Sequence, residues 1–147
     1  MEQNTNWQKS VGAVIIKDGK VLLGRHTYGN GNGKLILPGG YLQDGELPEE
    51  AMIREVLEET GVTAKPIRLL GVRFNEKDWY VLFLAEYING DAMPCDEENS
   101  EVLWIDTDEA VSRQDVPQLS KLAIKSAVSG NGIAETEFSS GSLYIEL

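Results

Sequence analysis

The chain is short of the residues that staple or anchor a fold. Its 147 residues include one cysteine, Cys95, and one histidine, His26. A lone cysteine excludes an internal disulfide framework. His26 shows no metal-binding or catalytic partner in its neighbourhood and reads as a surface residue. No apolar run approaches the length of a membrane span. The first residues, MEQNTNWQKS, lack the basic-then-apolar pattern of a signal peptide, so the cytoplasm is the expected compartment. Basic residues are also scarce. Thirteen Lys and Arg face 24 Asp and Glu, for a net charge of −11. Duplex nucleic acid needs a basic patch and is disfavoured as a partner. Internal repeats, low-complexity tracts and linkers are absent, which predicts one domain over residues 1–147, long enough for a real core.

Chemistry concentrates in residues 37–62, LPGGYLQDGELPEEAMIREVLEETGV. Pro38-Gly39-Gly40 can turn sharply and bring backbone close to a ligand. Residues 47–60 have no internal glycine, and Met52, Ile53, Val56 and Leu57 fall at helical spacing, which predicts one buried stripe. Pro48 suits the first helical position, Glu49 and Glu50 oppose the positive end of the dipole, and Gly61 suits the left-handed stop. Leu47, at the N-cap position, is a poor cap. Glu55, Glu58 and Glu59 sit at i, i+3 and i+4 and are expected on a separate face. Like charges so close cost a few tenths of a kcal/mol per pair, roughly. Hard divalent cations want such oxygen ligands, with substrate phosphates completing the shell. A divalent ion also reconciles an acidic protein with a polyphosphate substrate. The alternative for any one glutamate is a solvated acidic face.

Gly40, five residues, Glu46, seven residues, then Arg54-Glu55-Val56-Leu57-Glu58-Glu59-Thr60-Gly61-Val62 resembles the Nudix box, with every fixed position filled. The resemblance implies an α/β/α sandwich with a mixed β-sheet and the box as a loop–helix–loop. It implies hydrolysis of a nucleoside diphosphate linked to another group, with Mg2+ as cofactor and Mn2+ as substitute. Glu58 and Glu59 are then the first choices as metal ligands, with Glu55 and the Gly39 carbonyl beside them. Glu55 is alternatively the group that orients or deprotonates water. Arg54 orients a box glutamate, and Glu46 supports the loop–helix geometry. A further glutamate outside the box often serves as base or ligand in this family. Glu98 is the choice here, ahead of Glu97 and Glu101. Arg25, Tyr41, Trp79 and Tyr80 are candidate substrate contacts, with at most one of the strand neighbours Trp79 and Tyr80 facing the site.

The substrate expected from this resemblance is a nucleoside triphosphate, cleaved to monophosphate and pyrophosphate as in the MutT type. Oxidised triphosphates such as 8-oxo-dGTP are included. Dinucleotide polyphosphates and nucleotide sugars are alternatives. The proline that marks ADP-ribose hydrolases is missing beyond the box, where Glu76 and Lys77 stand. A nucleotide sensor without turnover is a reading of another class, and the intact glutamate set argues against it.

The flanks read as strands and short helices. Residues 10–17 and 20–24 form a hairpin about Asp18-Gly19. Arg25 opens a glycine-rich loop, and residues 35–37 are a short strand. Residues 64–74 and 79–87 form an antiparallel pair, followed by a turn at Asn89-Gly90. Residues 93–101 are an acidic loop and 102–105 a short strand. Residues 108–129 are helical with a break near Pro117. Residues 143–147 alternate as a terminal strand, which pairs with its own domain or with a second subunit, so a monomer and a homodimer both remain open.

Overall fold

A computed structural model describes residues 8–76 and 78–130, and the strands at 136–139 and 142–146. Strands β1 (Gln8–Lys17) and β2 (Lys20–His26) flank a tight turn. Asp18 (φ 52°) and Gly19 (φ 75°) both take the left-handed conformation that such a hairpin demands. Two short strands follow, β3 (Leu35–Ile36) and β4 (Gly39–Tyr41). Helix α1 (Pro48–Thr60) leads to β5 (Thr63–Phe74), β6 (Asp78–Asn89) and β7 (Asn99–Asp106). Helices α2 (Thr107–Ser112) and α3 (Gln118–Ser129) come next, then β8 (Thr136–Ser139) and β9 (Ser142–Glu146).

The strands join in one mixed sheet of order β3-β2-β1-β6-β5-β9-β8, with β4 added to β1 and β7 to β2. The β1–β6 pair is parallel and the β5–β6 pair antiparallel. The terminal strand β9 pairs with β5 of its own chain. Strand β2 parts from β1 soon after the hairpin, where Ile16–Val21 and Lys17–Lys20 are the paired positions. At the other end of β1, Ser10, Val11 and Gly12 pair instead with β4. This divergence opens a cleft in the sheet.

Period-two alternation splits the core into two layers. Val11, Ala13 and Ile15 of β1 pack with Ala51, Met52 and Val56 of α1. Val14 faces the other way, with Leu82, Ala110, Ala123 and Ile124 on the side of α2 and α3. The result is a helix–sheet–helix sandwich. Met52 is fully buried, so truncation to alanine costs about 2–5 kcal/mol.

Helix α1 corrects the expected stripe. Ile53 and Leu57 are 38% and 48% exposed, whereas Glu59 and Thr60 are buried beside Met52 and Val56. Seven residues fall only about 20° short of two turns, so Glu59 lies directly above Met52. The glutamates accordingly do not share one environment. The caps agree with expectation. Leu47 offers no side-chain cap, but the Glu50 carboxylate accepts its backbone N–H at 2.9 Å. Gly61 (φ 75°) donates to the Leu57 carbonyl at 3.0 Å. Among the described residues, no helix is long and apolar enough to cross a membrane.

Candidate active site

The cleft has a volume of about 440 Å³. Gly39 and Gly40 line its floor, and Gly12 lies against the Tyr80 hydroxyl that borders it. A Cβ on Gly39 would overlap the Val11 carbonyl oxygen, so only glycine allows β4 to lie this close to β1. A Cβ on Gly40 would stand 2.5 Å from the Glu55 carboxyl carbon, in space the carboxylate now fills. A Cβ on Gly12 would overlap the Tyr80 hydroxyl. Their missing side chains let acidic and aromatic groups approach the backbone.

Carboxylates converge on this floor from two distant segments. Glu59 of α1 is 2% exposed, and one of its oxygens accepts the Gly39 N–H at 3.3 Å. Carboxylate oxygens of Asp96 and Glu98, in the loop before β7, lie within 4.8 Å of Glu59 and of each other. Burial pushes the Glu59 carboxyl up to about 9, and the nearby charges of Glu55, Asp96 and Glu98 push the same way. Burial also raises Glu55, although Arg54 opposes the shift. Glu98 is raised by burial first, then by the charges of Asp96 and Glu58. So much mutually repelling charge around a buried carboxyl is costly unless a proton or a cation compensates it.

Arg54 fixes the helix end of the site. Its Nε and Nη2 donate to the two oxygens of Glu46 at 2.7 and 2.8 Å, a bidentate pair. Nη1 donates to Glu55 at 2.9 Å and to Glu58 at 3.2 Å, and Nη2 reaches the Tyr41 carbonyl at 3.1 Å. Glu46 is held down at about 2 by the Arg54 hydrogen bonds. One guanidinium thus ties together Glu46, Glu55 and Glu58.

The remaining expected residues divide. Gly39, Tyr41, Glu55, Glu59, Tyr80 and Glu98 line the cleft. Glu58 is more than half exposed at the rim, close enough for its charge to act on Glu55 and Glu98. Trp79 points off the cleft and packs edge-on against Phe74 at 5.4 Å, as strand alternation requires once Tyr80 faces inward. Arg25 is a correction. Its guanidinium is turned away to Glu101 at 2.6 Å, Asp115 at 3.2 Å and the Gly33 carbonyl at 2.8 Å. Strand β2 places Arg25 directly opposite Glu101, so the ion pair wins over any approach to phosphate.

His26 is the second correction. It lines the cleft and stacks on Tyr28, ring centroids 6.0 Å apart, rather than facing solvent. Burial lowers its pKa, so it is neutral near pH 7. Sequence reasoning also passed over Asp96, Ser10, Arg73 and Asp78. Asp96 stood in the same acidic loop as Glu98 and carried that much signal. The other three carried none, because strand pairing brings them together.

Several known proteins resemble this chain in sequence or fold. An ADP-ribose pyrophosphatase of Methanocaldococcus jannaschii is 44% identical over 63 residues, covering 43% of this chain and 37% of that protein. An oxidized purine nucleoside triphosphate hydrolase of Danio rerio is 31% identical over 99 residues, 65% of this chain and 64% of the relative. The chain therefore spans from about a third to just under two thirds of these curated relatives. Among solved structures, a NUDIX hydrolase from Nitrosomonas europaea superposes with a TM-score of 0.74 at 28% identity, covering 84% of this chain and 89% of that one. The NUDIX domain family model matches residues 6–125, which include the whole box, the carboxylate cluster and the cleft. On this match the chain belongs to the Nudix family.

Proposed function

We propose that the cleft hydrolyses a nucleoside diphosphate linked to another group. The first-choice substrate is a nucleoside triphosphate, ordinary or oxidised, cleaved to monophosphate and pyrophosphate. The observation that carries this reading is the meeting of Glu59, Asp96 and Glu98 beside the Gly39–Gly40 backbone, at one end of a cleft of nucleotide size.

The donor set fits a hard divalent cation, Mg2+ or Mn2+ in its place. All its members are oxygens, and they repel one another without a cation. Glu59, Asp96 and Glu98 would hold the ion, with Glu55, Glu58 and the Gly39 carbonyl in the same corner. When bound, such an ion neutralises charge on phosphate oxygens and acidifies a water molecule. The chain's own groups supply the rest. Glu55 is raised by burial towards the range of a useful proton acceptor, and Arg54 fixes its orientation. Glu98 is the second candidate base. Leu37, Ile36 and Leu119 give the cleft an apolar wall.

The name of the Methanocaldococcus relative supports a second reading, in which the leaving group is a sugar phosphate. A panel of triphosphates, dinucleotide polyphosphates and nucleotide sugars, assayed with Mg2+ and product identification, separates the two. Pyrophosphate release from a triphosphate supports the first reading. Turnover of only a dinucleotide or sugar nucleotide moves the substrate to the alternative. Glu55→Gln and Glu98→Gln should each lower kcat by about a hundredfold or more if they act as bases. Nucleotide binding without turnover by the wild type would instead mark a sensor.

A further inference from the structure

One wall of the cleft takes no part in the reaction just described. It is formed by Ser10, Arg73, Asp78 and Tyr80. Ser10 and Gly12 project to the same face of β1, two residues or roughly 7 Å apart. Gly12 pairs with Gly39, whose N–H binds Glu59, so strands β1 and β4 link this wall to the carboxylates.

The group is built and partly buried. Arg73 Nη2 donates to Asp78 Oδ2 at 2.6 Å, and Ser10 Oγ donates to the two Asp78 oxygens at 3.1 and 3.2 Å. The Arg73 guanidinium lies over the Tyr80 ring, 5.3 Å from its centroid. The side chains of Arg73 and Asp78 are 20% and 18% exposed. Burial raises the Tyr80 phenol far above its ordinary value and keeps it neutral. The pair is also unsaturated. A carboxylate has about four lone-pair sites and a guanidinium five N–H donors. Arg73 Nε is buried without a hydrogen-bond partner.

We propose that Arg73 and Asp78 read the base of the nucleotide and select guanine. This rests on the cleft being a nucleotide site. The wall presents a cationic donor next to an anionic acceptor with two oxygens. The matching edge is a carbonyl followed by two N–H donors. Guanine has that edge, with its O6 against Arg73 and its N1–H and N2–H against Asp78. Hypoxanthine lacks the second donor. Adenine sets a ring-nitrogen lone pair against the carboxylate and offers one donor group. Failure to pair buried polar groups is what gives such sites their discrimination.

The test is kcat/KM with Mg2+ for GTP, ITP, ATP, CTP and UTP, in the wild type and in Asp78→Asn. Calorimetric binding of GMP, IMP and AMP is measured alongside. Wild type should prefer GTP to ATP by about tenfold or more, with ITP between them. Asp78→Asn should bring the GTP:ATP ratio towards one. That ratio does not depend on how much of the variant is folded, and Arg73→Gln gives the same readout if Asp78→Asn does not fold. Preference for ATP or a pyrimidine overturns the inference while leaving the hydrolase reading intact. Equal loss on all bases in Asp78→Asn also overturns it, since the pair would then serve the sugar or the fold. If no triphosphate is turned over, the triphosphate reading fails separately. Tighter binding of GMP than AMP, lost in Asp78→Asn, would still support the base assignment, and its absence would overturn it.

Discussion

Glu59→Gln in metal-free protein should change how stability responds to pH. Glu59 is buried among Glu55, Asp96 and Glu98, and its carboxyl rises from 4.5 to about 9. Between these two values the folded state holds a proton that the unfolded state has released. Stability therefore falls as pH rises from about 4.5 towards 9, by about 1.4 kcal/mol per pH unit for one proton. The amide that replaces the carboxyl in Glu59→Gln has no titrating proton, yet its oxygen can still accept the Gly39 N–H. From pH 6 to pH 8 the wild type should lose about 2.7 kcal/mol relative to the variant. Urea denaturation of both proteins in EDTA across that range measures the difference directly. A wild-type minus variant difference that stays flat from pH 6 to 8 would refute the claim that Glu59 is buried and protonated.

Four further outcomes follow from the same geometry. Mg2+ should raise the melting temperature more at pH 8 than at pH 6, because the cation must displace the Glu59 proton to bind; equal shifts in calorimetry would count against Glu59 as a ligand. Arg54→Lys cannot reproduce the fork to Glu46 or reach Glu55, Glu58 and Tyr41 together. It should cost about 1–3 kcal/mol in urea denaturation and lower kcat with little change in KM. Gly39→Ala drives a Cβ into the Val11 carbonyl and should cost about 3 kcal/mol or more, read by thermal denaturation. Arg25→Ala should cost about 1 kcal/mol, since its partners are partly exposed, while KM for the substrate stays unchanged.

Local features of the chain were legible because their causes are local. The turn at Asp18-Gly19 and the helix stop at Gly61 are dictated by the left-handed conformations that those residues tolerate. The box spacing located α1, Arg54 and the glutamates, and alternation along β6 required Trp79 and Tyr80 to part. Glu98 was within reach because one acidic loop precedes one late strand. The terminal strand was foreseen, but its partner was decided only by the sheet, where β9 joins β5.

Two placements show where that legibility stops. Hydrophobicity put Ile53 and Leu57 in the core and Glu59 on an open face. The tertiary structure reverses this, because the orientation of α1 is set by packing of Met52 and Val56 on β1. Arg25 looked like a substrate contact until β7 set Glu101 opposite it and Asp115 arrived from 90 residues away. By itself, the sequence determined the family, the loop–helix–loop and the residue types available for chemistry, since these rest on spacing along the backbone. Only the tertiary structure decided which carboxylates meet, which of them is buried, and which polar wall faces them across the cleft. Those are relations between segments that touch only when the sheet is assembled.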